Sequence, residues 1–117
     1  MAWTDYSSAP TVGTRICDAA EIDGVLSLSL QTKNGIFPML VMRWGEDFRA
    51  YVNACPHQYL PLDYHGGQLL SADGTKLLCT VHGARFAIDT GDAVDGAECG
   101  LDAVPVVLRN GVLIVSG

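Results

Sequence analysis

The feature that most constrains this chain is a pair of short clusters, each of which contains one cysteine and one histidine. The first cluster is Cys55-Pro-His57 and the second is Cys79-Thr-Val-His82, with twenty-one residues between them. Thiolates and imidazoles are common ligands of protein metal centres. Two loops that each supply one thiolate and one imidazole can converge on one centre. The four side chains are therefore candidate metal ligands, and we expect each cluster to form a loop at a hairpin tip.

The residues after the second cluster make this pattern more specific. Gly83 follows His82 directly, and Phe86 and Thr90-Gly91 come next at short intervals. Cys-x-His followed at a distance by Cys-x-x-His-Gly closely resembles the signature of Rieske proteins. In that family two cysteines hold one iron of a [2Fe–2S] cluster and two histidines hold the other. The resemblance implies one Rieske-type [2Fe–2S] cluster per chain, with these cofactor-binding and metal-ligating residues: Cys55, His57, Cys79 and His82.

The chain departs from the family in the length of the segment between the two clusters, which is longer than is typical. The additional length contains Asp73-Gly74, a dipeptide that favours a tight turn between two strands. We therefore expect a longer hairpin here, without the loss of a ligand.

Two other uses of these residues fit the spacing less well. A structural zinc site of the Cys2His2 kind usually pairs Cys-x(2–4)-Cys with His-x(3–5)-His, which is a different spacing. Two disulfides would leave the paired histidines unexplained, and the N-terminal residues lack the basic and apolar regions of a signal peptide. Cys17 and His65 lie at no ligand spacing. By resemblance, Cys99 lies where dioxygenase-type Rieske ferredoxins often have a cysteine that is not a ligand. None of these three is assigned to the site.

The pattern of apolar residues predicts β-strands along most of the chain. Leu26, Leu28 and Leu30 alternate with polar residues, as in a half-buried strand. Asn34-Gly35 and Asn110-Gly111 predict two further hairpin turns, and Pro38 suggests an edge position. The expected strands are residues 13–17, 25–31, 37–43, 48–53, 68–71, 76–79, 86–88, 104–109 and 112–116.

No segment of useful length has the helical period, although Asp18 and Glu21 could cap a single helical turn. The predicted fold is therefore all-β. By resemblance it is a Rieske-type antiparallel β-barrel or sandwich with the two cluster-binding loops at one tip. We expect an N-terminal tail over residues 1–12 and a Rieske [2Fe–2S] domain over residues 13–117.

Length and charge exclude several classes of function. We expect the 117 residues to form one domain. This length is too short to add the mononuclear iron domain of a terminal oxygenase, which needs two further histidines and a carboxylate. No apolar run is long enough to span a membrane, so the protein is expected in the cytoplasm. The net charge of −6 disfavours nucleic acid as a partner. Five acidic residues within fourteen positions could instead steer the protein toward basic partners: Asp89, Asp92, Asp95, Glu98 and Asp102.

Four positions distinguish this chain from the respiratory branch of the family. Leu60 and Val81 stand where respiratory Rieske proteins carry the two cysteines of an additional disulfide. Ala84 and Phe86 stand where those proteins carry a serine and a tyrosine that donate hydrogen bonds to sulfur. Without these donors the reduced cluster is less stabilised, which favours a reduction potential near the low end of the Rieske range, roughly −150 mV.

The resemblance is therefore to dioxygenase-type Rieske ferredoxins and to small stand-alone Rieske proteins. It implies an electron-transfer component, not an enzyme on its own, which passes electrons from a flavin-dependent reductase to a Rieske-type oxygenase. Two alternatives stay open. One is a subunit held permanently in another oxidoreductase. The other is an interaction module like the small subunit of nitrite reductase, which commonly lacks the ligands.

Overall fold

The computed structural model describes residues 2–54, 61–63, 69–80, 83–96 and 99–116. Within these ranges the chain forms nine β-strands in three antiparallel sheets of three strands each. The helical elements of the described residues are two single 3-10 turns, Trp3–Asp5 and Ala19–Glu21. The all-β class predicted from the sequence is confirmed. No helix in the described part of the chain is long and apolar enough to cross a membrane.

The strands are numbered in chain order and form the sheets β1-β9-β8, β2-β3-β4 and β5-β6-β7. Their bounds are β1 Arg15–Asp18, β2 Val25–Thr32, β3 Gly35–Trp44, β4 Asp47–Val52, β5 Lys76–Leu78, β6 Arg85–Ala87, β7 Ala93–Asp95, β8 Val106–Arg109 and β9 Val112–Val115. Eight of the nine predicted strands are present, with ends shifted by at most two residues. The strand expected over residues 68–71 is represented in the described residues by one isolated bridge, from Leu70 to Leu77. The short strand β7 was not predicted, because its pairing with β6 depends on tertiary packing.

The chain divides into two compact units. The first consists of Met1–Val52 and Asp102–Gly117, and the second is Asn53–Leu101. The first unit contains the sheets of β2-β3-β4 and β1-β9-β8. Its buried side chains are concentrated on β3, where four consecutive residues are inaccessible to solvent because this strand is central in its sheet: Met39, Leu40, Val41 and Met42.

Two details of the first unit refine the sequence-based expectations. The β2–β3 hairpin is present, but Thr32 pairs with Gly35, so its two turn residues are Lys33 and Asn34. Pro38 lies in a central strand, where an edge position had been expected. It is tolerated there because Pro38 pairs with Ser29 of β2, whereas the β4 ladder begins only at Met39.

The predicted N-terminal tail packs on the first unit. The ring of Tyr6 contacts the ring of Phe37 edge to face, with centroids 5.9 Å apart. Its hydroxyl donates a hydrogen bond to the Asp102 carboxylate at 2.7 Å, and the Asp102 carbonyl accepts the backbone N–H of Val52. The boundary expected between residues 12 and 13 stays a prediction.

The second unit contains the sheet β5-β6-β7 and begins directly after β4. The hairpin predicted around Asp73-Gly74 is confirmed, since Ser71 N–H donates to Lys76 and Leu70 bridges to Leu77. The Asp73 carboxylate accepts hydrogen bonds from the Ser71 hydroxyl and from the hydroxyl and N–H of Thr75. These donors lower the pKa of Asp73 and fix the turn that leads into β5.

Candidate metal centre

Cys79, the cysteine of the second cluster, lies on the hairpin that joins β5 to β6. Cys79 follows the last residue of β5, and its backbone N–H donates to the Ala84 carbonyl at 2.8 Å. The Cys79 carbonyl accepts the N–H of Gly83 at 2.8 Å, and Gly83 has a φ of +72°, which glycine adopts without strain. Cys79 is thus the last paired residue before the turn of this hairpin. His82 lies outside the described residues.

Cys79 is shielded from water. Its exposed fraction is 0%, and Leu77, Ala84 and Phe86 of the same hairpin are equally inaccessible. A metal-bound thiolate carries charge that the metal neutralises, so an apolar and dry setting is compatible with a cysteine ligand at this position. Exclusion of solvent also protects a bound cluster from hydrolysis and oxidation.

The other two described cysteines have different surroundings. Cys17 lies in β1 of the first unit, where burial raises the pKa of its thiol and the charge of Glu21 raises it further. It packs as a small apolar residue, as expected from the sequence. Cys99 is exposed and free. Neither is part of the candidate centre, while His65 falls outside the described residues.

The first cluster is flanked by a buried asparagine. Asn53 begins the second unit, two residues before Cys55, and is 5% exposed. Its side-chain oxygen accepts the backbone N–H of Leu62 at 2.7 Å, and its side-chain nitrogen donates to the Asp63 carboxylate at 3.2 Å. Asn53 therefore joins the two ends of the segment that contains Cys55 and His57, both of which lie outside the described residues.

The same segment is bonded to the second cluster. The Leu62 carbonyl accepts both the backbone N–H of Thr80, at 2.8 Å, and the Thr80 hydroxyl, at 2.6 Å. Thr80 stands between Cys79 and His82 in the sequence. The structure thus brings together the flanks of the two clusters. Cys79 is the one predicted ligand whose surroundings it describes.

Sequence reasoning missed Asn53 and Thr80. The available signal was a polar residue directly after a strongly apolar strand and close to a candidate ligand. Their function could not be inferred from that signal, because their shared partner is the main chain of Leu62. Every residue has a main-chain N–H or carbonyl, so the sequence does not show which one a side chain binds.

An ion pair marks the ligand end of the β5-β6-β7 sheet. Arg85, next to Ala84 at the start of β6, donates through Nε and Nη2 to the Asp95 carboxylate. These hydrogen bonds raise the pKa of Arg85 and lower that of Asp95. Asp92 lies at the opposite end of the sheet, in the turn between β6 and β7. The acidic run predicted from the sequence is therefore divided, and Asp95 already has a cationic partner.

The chain directly after β7 approaches the ligand hairpin closely at Gly96. A Cβ added at Gly96 would lie 2.8 Å from the Ala84 Cα, which is closer than such atoms approach in folded proteins. Gly96 also has a φ of +78°. Glycine at this position therefore permits the backbone contact that supports Ala84, whose carbonyl holds Cys79.

Comparison with known proteins agrees with this geometry. The family model described as "Rieske [2Fe-2S] domain" matches residues 14–105, a range that contains all four candidate ligands. A search of curated proteins found no significant match.

Solved structures of two kinds resemble the chain. The ferredoxin of carbazole 1,9a-dioxygenase from Nocardioides aromaticivorans IC177 is 20% identical, with a TM-score of 0.68 over 91% of this chain and 98% of that one. A chain in a complex of reduced oxygenase and oxidized ferredoxin in carbazole 1,9a-dioxygenase is 23% identical, with a TM-score of 0.68 over 87% of this chain and 99% of that one. A protein described as an NADH-dependent nitrite reductase small subunit from Mycobacterium tuberculosis is 17% identical, with a TM-score of 0.67 over 89% of this chain and 93% of that one. At these identities the likeness shows the fold.

The candidate ligands predict a clear division among cysteine and histidine variants. Cys79→Ala and His82→Ala should lose most of the bound iron and sulfide, because a [2Fe–2S] cluster that lacks one of its four protein ligands is poorly held. Cys99→Ala and His65→Ala are the matched controls and should keep both. Iron and acid-labile sulfide assays with visible absorption provide the measurement. A Cys79→Ala protein with the wild-type content of iron and sulfide would remove Cys79 from the ligand set.

Proposed function

Because the chain belongs to the Rieske [2Fe-2S] domain family, we propose that it is a low-potential ferredoxin that carries electrons from a flavin-dependent reductase to a Rieske-type oxygenase. The proposed ligands are Cys55 and Cys79 for one iron and His57 and His82 for the other. The observation that carries the proposal is the fold likeness to a dioxygenase ferredoxin, which extends over nearly the full length of both chains. A cytoplasmic location is part of the same proposal.

When bound, the cluster supplies one-electron chemistry, and its histidine-ligated iron is the easier one to reduce. The protein's own contribution is to hold and surround it. Cys79 is held in place by the β5–β6 hairpin and shielded from water. Gly83, at the end of the loop, is exposed.

The low potential is supported by two buried residues of the ligand hairpin. Ala84 and Phe86 are both 0% exposed and carry no side-chain donor. A hydroxyl at either position could donate a hydrogen bond to sulfur and stabilise the added electron. Their apolar side chains therefore favour the lower end of the Rieske range.

Partner choice is supported by charge and by the fold relatives. The solved complex of oxygenase and ferredoxin in carbazole 1,9a-dioxygenase contains a ferredoxin of this fold docked on an oxygenase. For this chain we propose transient docking at the ligand end of the β5-β6-β7 sheet, where the Arg85–Asp95 pair offers one charge of each sign. A net charge of −6 would assist encounter with a basic partner surface.

The fold relative from Mycobacterium tuberculosis supports a second candidate function. In that case the protein would be a small subunit held permanently on another oxidoreductase. Stoichiometric co-elution with a larger enzyme from native extracts, through an interface that resists salt, would favour the subunit over the diffusing carrier.

The potential can be tested by adding the missing donors. Ala84→Ser and Phe86→Tyr should each raise the reduction potential, since a hydrogen bond to a charged acceptor contributes about 1.5–3 kcal/mol at most. For a one-electron couple a tenfold change in equilibrium constant equals about 59 mV, so we expect shifts of tens of millivolts in voltammetry.

Phe37→Tyr is the matched control for this test. It adds the same hydroxyl at a fully buried phenylalanine of the first unit and should leave the potential unchanged. A wild-type potential well above 0 mV, or no shift in either of the two hairpin variants, contradicts the low-potential proposal.

The carrier proposal predicts a salt-dependent rate. Electron transfer from a flavin reductase should slow as ionic strength rises from about 0.01 to 0.15 M, because the Debye length falls from about 30 to 8 Å. Asp95→Asn should weaken this dependence more than Asp92→Asn. Both remove one negative charge, but Asp95 lies at the ligand end of the sheet and Asp92 at the other. Stopped-flow traces measure both.

Equal effects of the two variants would indicate that net charge alone matters and would contradict docking at the ligand end. A rate that does not respond to salt contradicts electrostatic steering as a whole.

A further inference from the structure

We propose that Asn53, the main chain of Leu62 and Thr80 form a brace that positions the two ligand segments, and that Asn53 and Thr80 are positioning residues for the cluster. The inference deepens the proposed function and rests on its ligand set. Three hydrogen bonds of the brace meet at Leu62. Its N–H is bound by the Asn53 side chain, and its carbonyl accepts both the N–H and the hydroxyl of Thr80.

The brace is built into the interior of the second unit. Among the described residues, Asn53 is the one with a polar side chain that is classed as buried. Because burying an unsatisfied amide costs free energy, its bonds to Leu62 and Asp63 are necessary for this position to be tolerated. The Leu62 side chain is 0% exposed, so the main chain at Leu62 is fixed by packing as well as by hydrogen bonds.

The brace lies within two residues of a candidate ligand on each side of the site. Asn53 is two residues before Cys55, while Thr80 is adjacent to Cys79 and two residues before His82. One residue spans at most about 3.6 Å, so a shift of either brace residue leaves little chain to absorb it before the ligand moves. Groups that orient ligands typically change metal affinity by about 10–100-fold when they are removed.

The β5–β6 hairpin holds the second ligand segment, and the hydrogen bonds of Leu62 join this hairpin to the segment of the first cluster. The β5–β6 hairpin positions Cys79 through its bonds to Ala84 and Gly83. The bonds of Leu62 then set the distance between this hairpin and the segment of the first cluster. We infer that the brace acts on how the cluster is held, beyond any effect on the stability of the fold.

Thr80→Val is the sharpest test, because valine has the shape of threonine without the hydroxyl. The Leu62 carbonyl keeps the Thr80 N–H as a partner, so no buried carbonyl is left unsatisfied. We expect the holoprotein to lose iron to a strong chelator about tenfold faster than wild type, equivalent to about 1.4 kcal/mol, and its EPR spectrum to broaden. Thr80→Ser, which restores the hydroxyl, should return both to wild type.

Thr32→Val is the matched control. Thr32 also donates its hydroxyl to a backbone carbonyl, that of Gly35, at 2.9 Å, but does so in the β2–β3 hairpin of the first unit. It should leave iron release and the EPR spectrum unchanged, even if it lowers the thermal midpoint. Wild-type release from Thr80→Val, or equal acceleration by Thr32→Val, overturns the brace.

If Thr80→Val takes up no cluster during expression, Thr80→Ser and Thr80→Ala decide the question. Cluster in the serine variant and none in the alanine variant supports the brace, whereas the same result in both overturns it. The proposed ligand set fails by a different observation, namely a wild-type protein without iron and sulfide or a Cys79→Ala protein that retains them.

Discussion

The hydrogen bond from the Cys79 N–H to the Ala84 carbonyl is the contact on which the candidate centre depends. It continues the β5–β6 ladder by one residue pair and so places Cys79 at the last paired position before the loop. The return bond from Gly83 closes that loop, and Gly96 lets the chain after β7 approach Ala84 from the other side. These bonds fix the backbone of Cys79 before any metal is bound.

Around this contact the second unit combines local and non-local constraints. The turns at Asp73-Gly74 and at Gly83 are local and depend on donors or glycines a few residues away. The hydrogen bond that the Thr80 hydroxyl donates to the Leu62 carbonyl joins residues eighteen positions apart. Local turns are inexpensive in chain entropy, whereas the longer connection needs the packing of Leu62 and the buried amide of Asn53 to persist. For this reason the ligand segments are organised by a few specific polar groups within an otherwise apolar interior.

Much of the fold could be read from the sequence. The alternation of Leu26, Leu28 and Leu30 predicted β2, and Asn110-Gly111 predicted the last hairpin, where both residues have positive φ. These features are local, so residue type alone encodes them. The brace, the Arg85–Asp95 pair and strand β7 were not predicted, because each depends on a partner that tertiary packing brings close.

The site was predicted from the spacing of the ligands together with the resemblance. The structure describes more of the second cluster than of the first. It shows Cys79 on its hairpin and the flanks of the first cluster beside Thr80. The ligand set of Cys55, His57, Cys79 and His82 remains the proposal on which the account depends. Its distinctive claim is that two imidazoles ligate one iron, which separates a Rieske centre from a four-cysteine ferredoxin cluster and from a zinc site.

Pulsed EPR of the reduced protein, produced with natural and 15N-labelled histidine, tests that claim most directly. The account predicts magnetic couplings from two histidine nitrogens bound to the reduced iron, both of which change on labelling, with one set lost in any His57 or His82 variant that still holds a cluster. A reduced cluster with no histidine coupling, or a folded protein that contains zinc and gives no EPR signal, would contradict it.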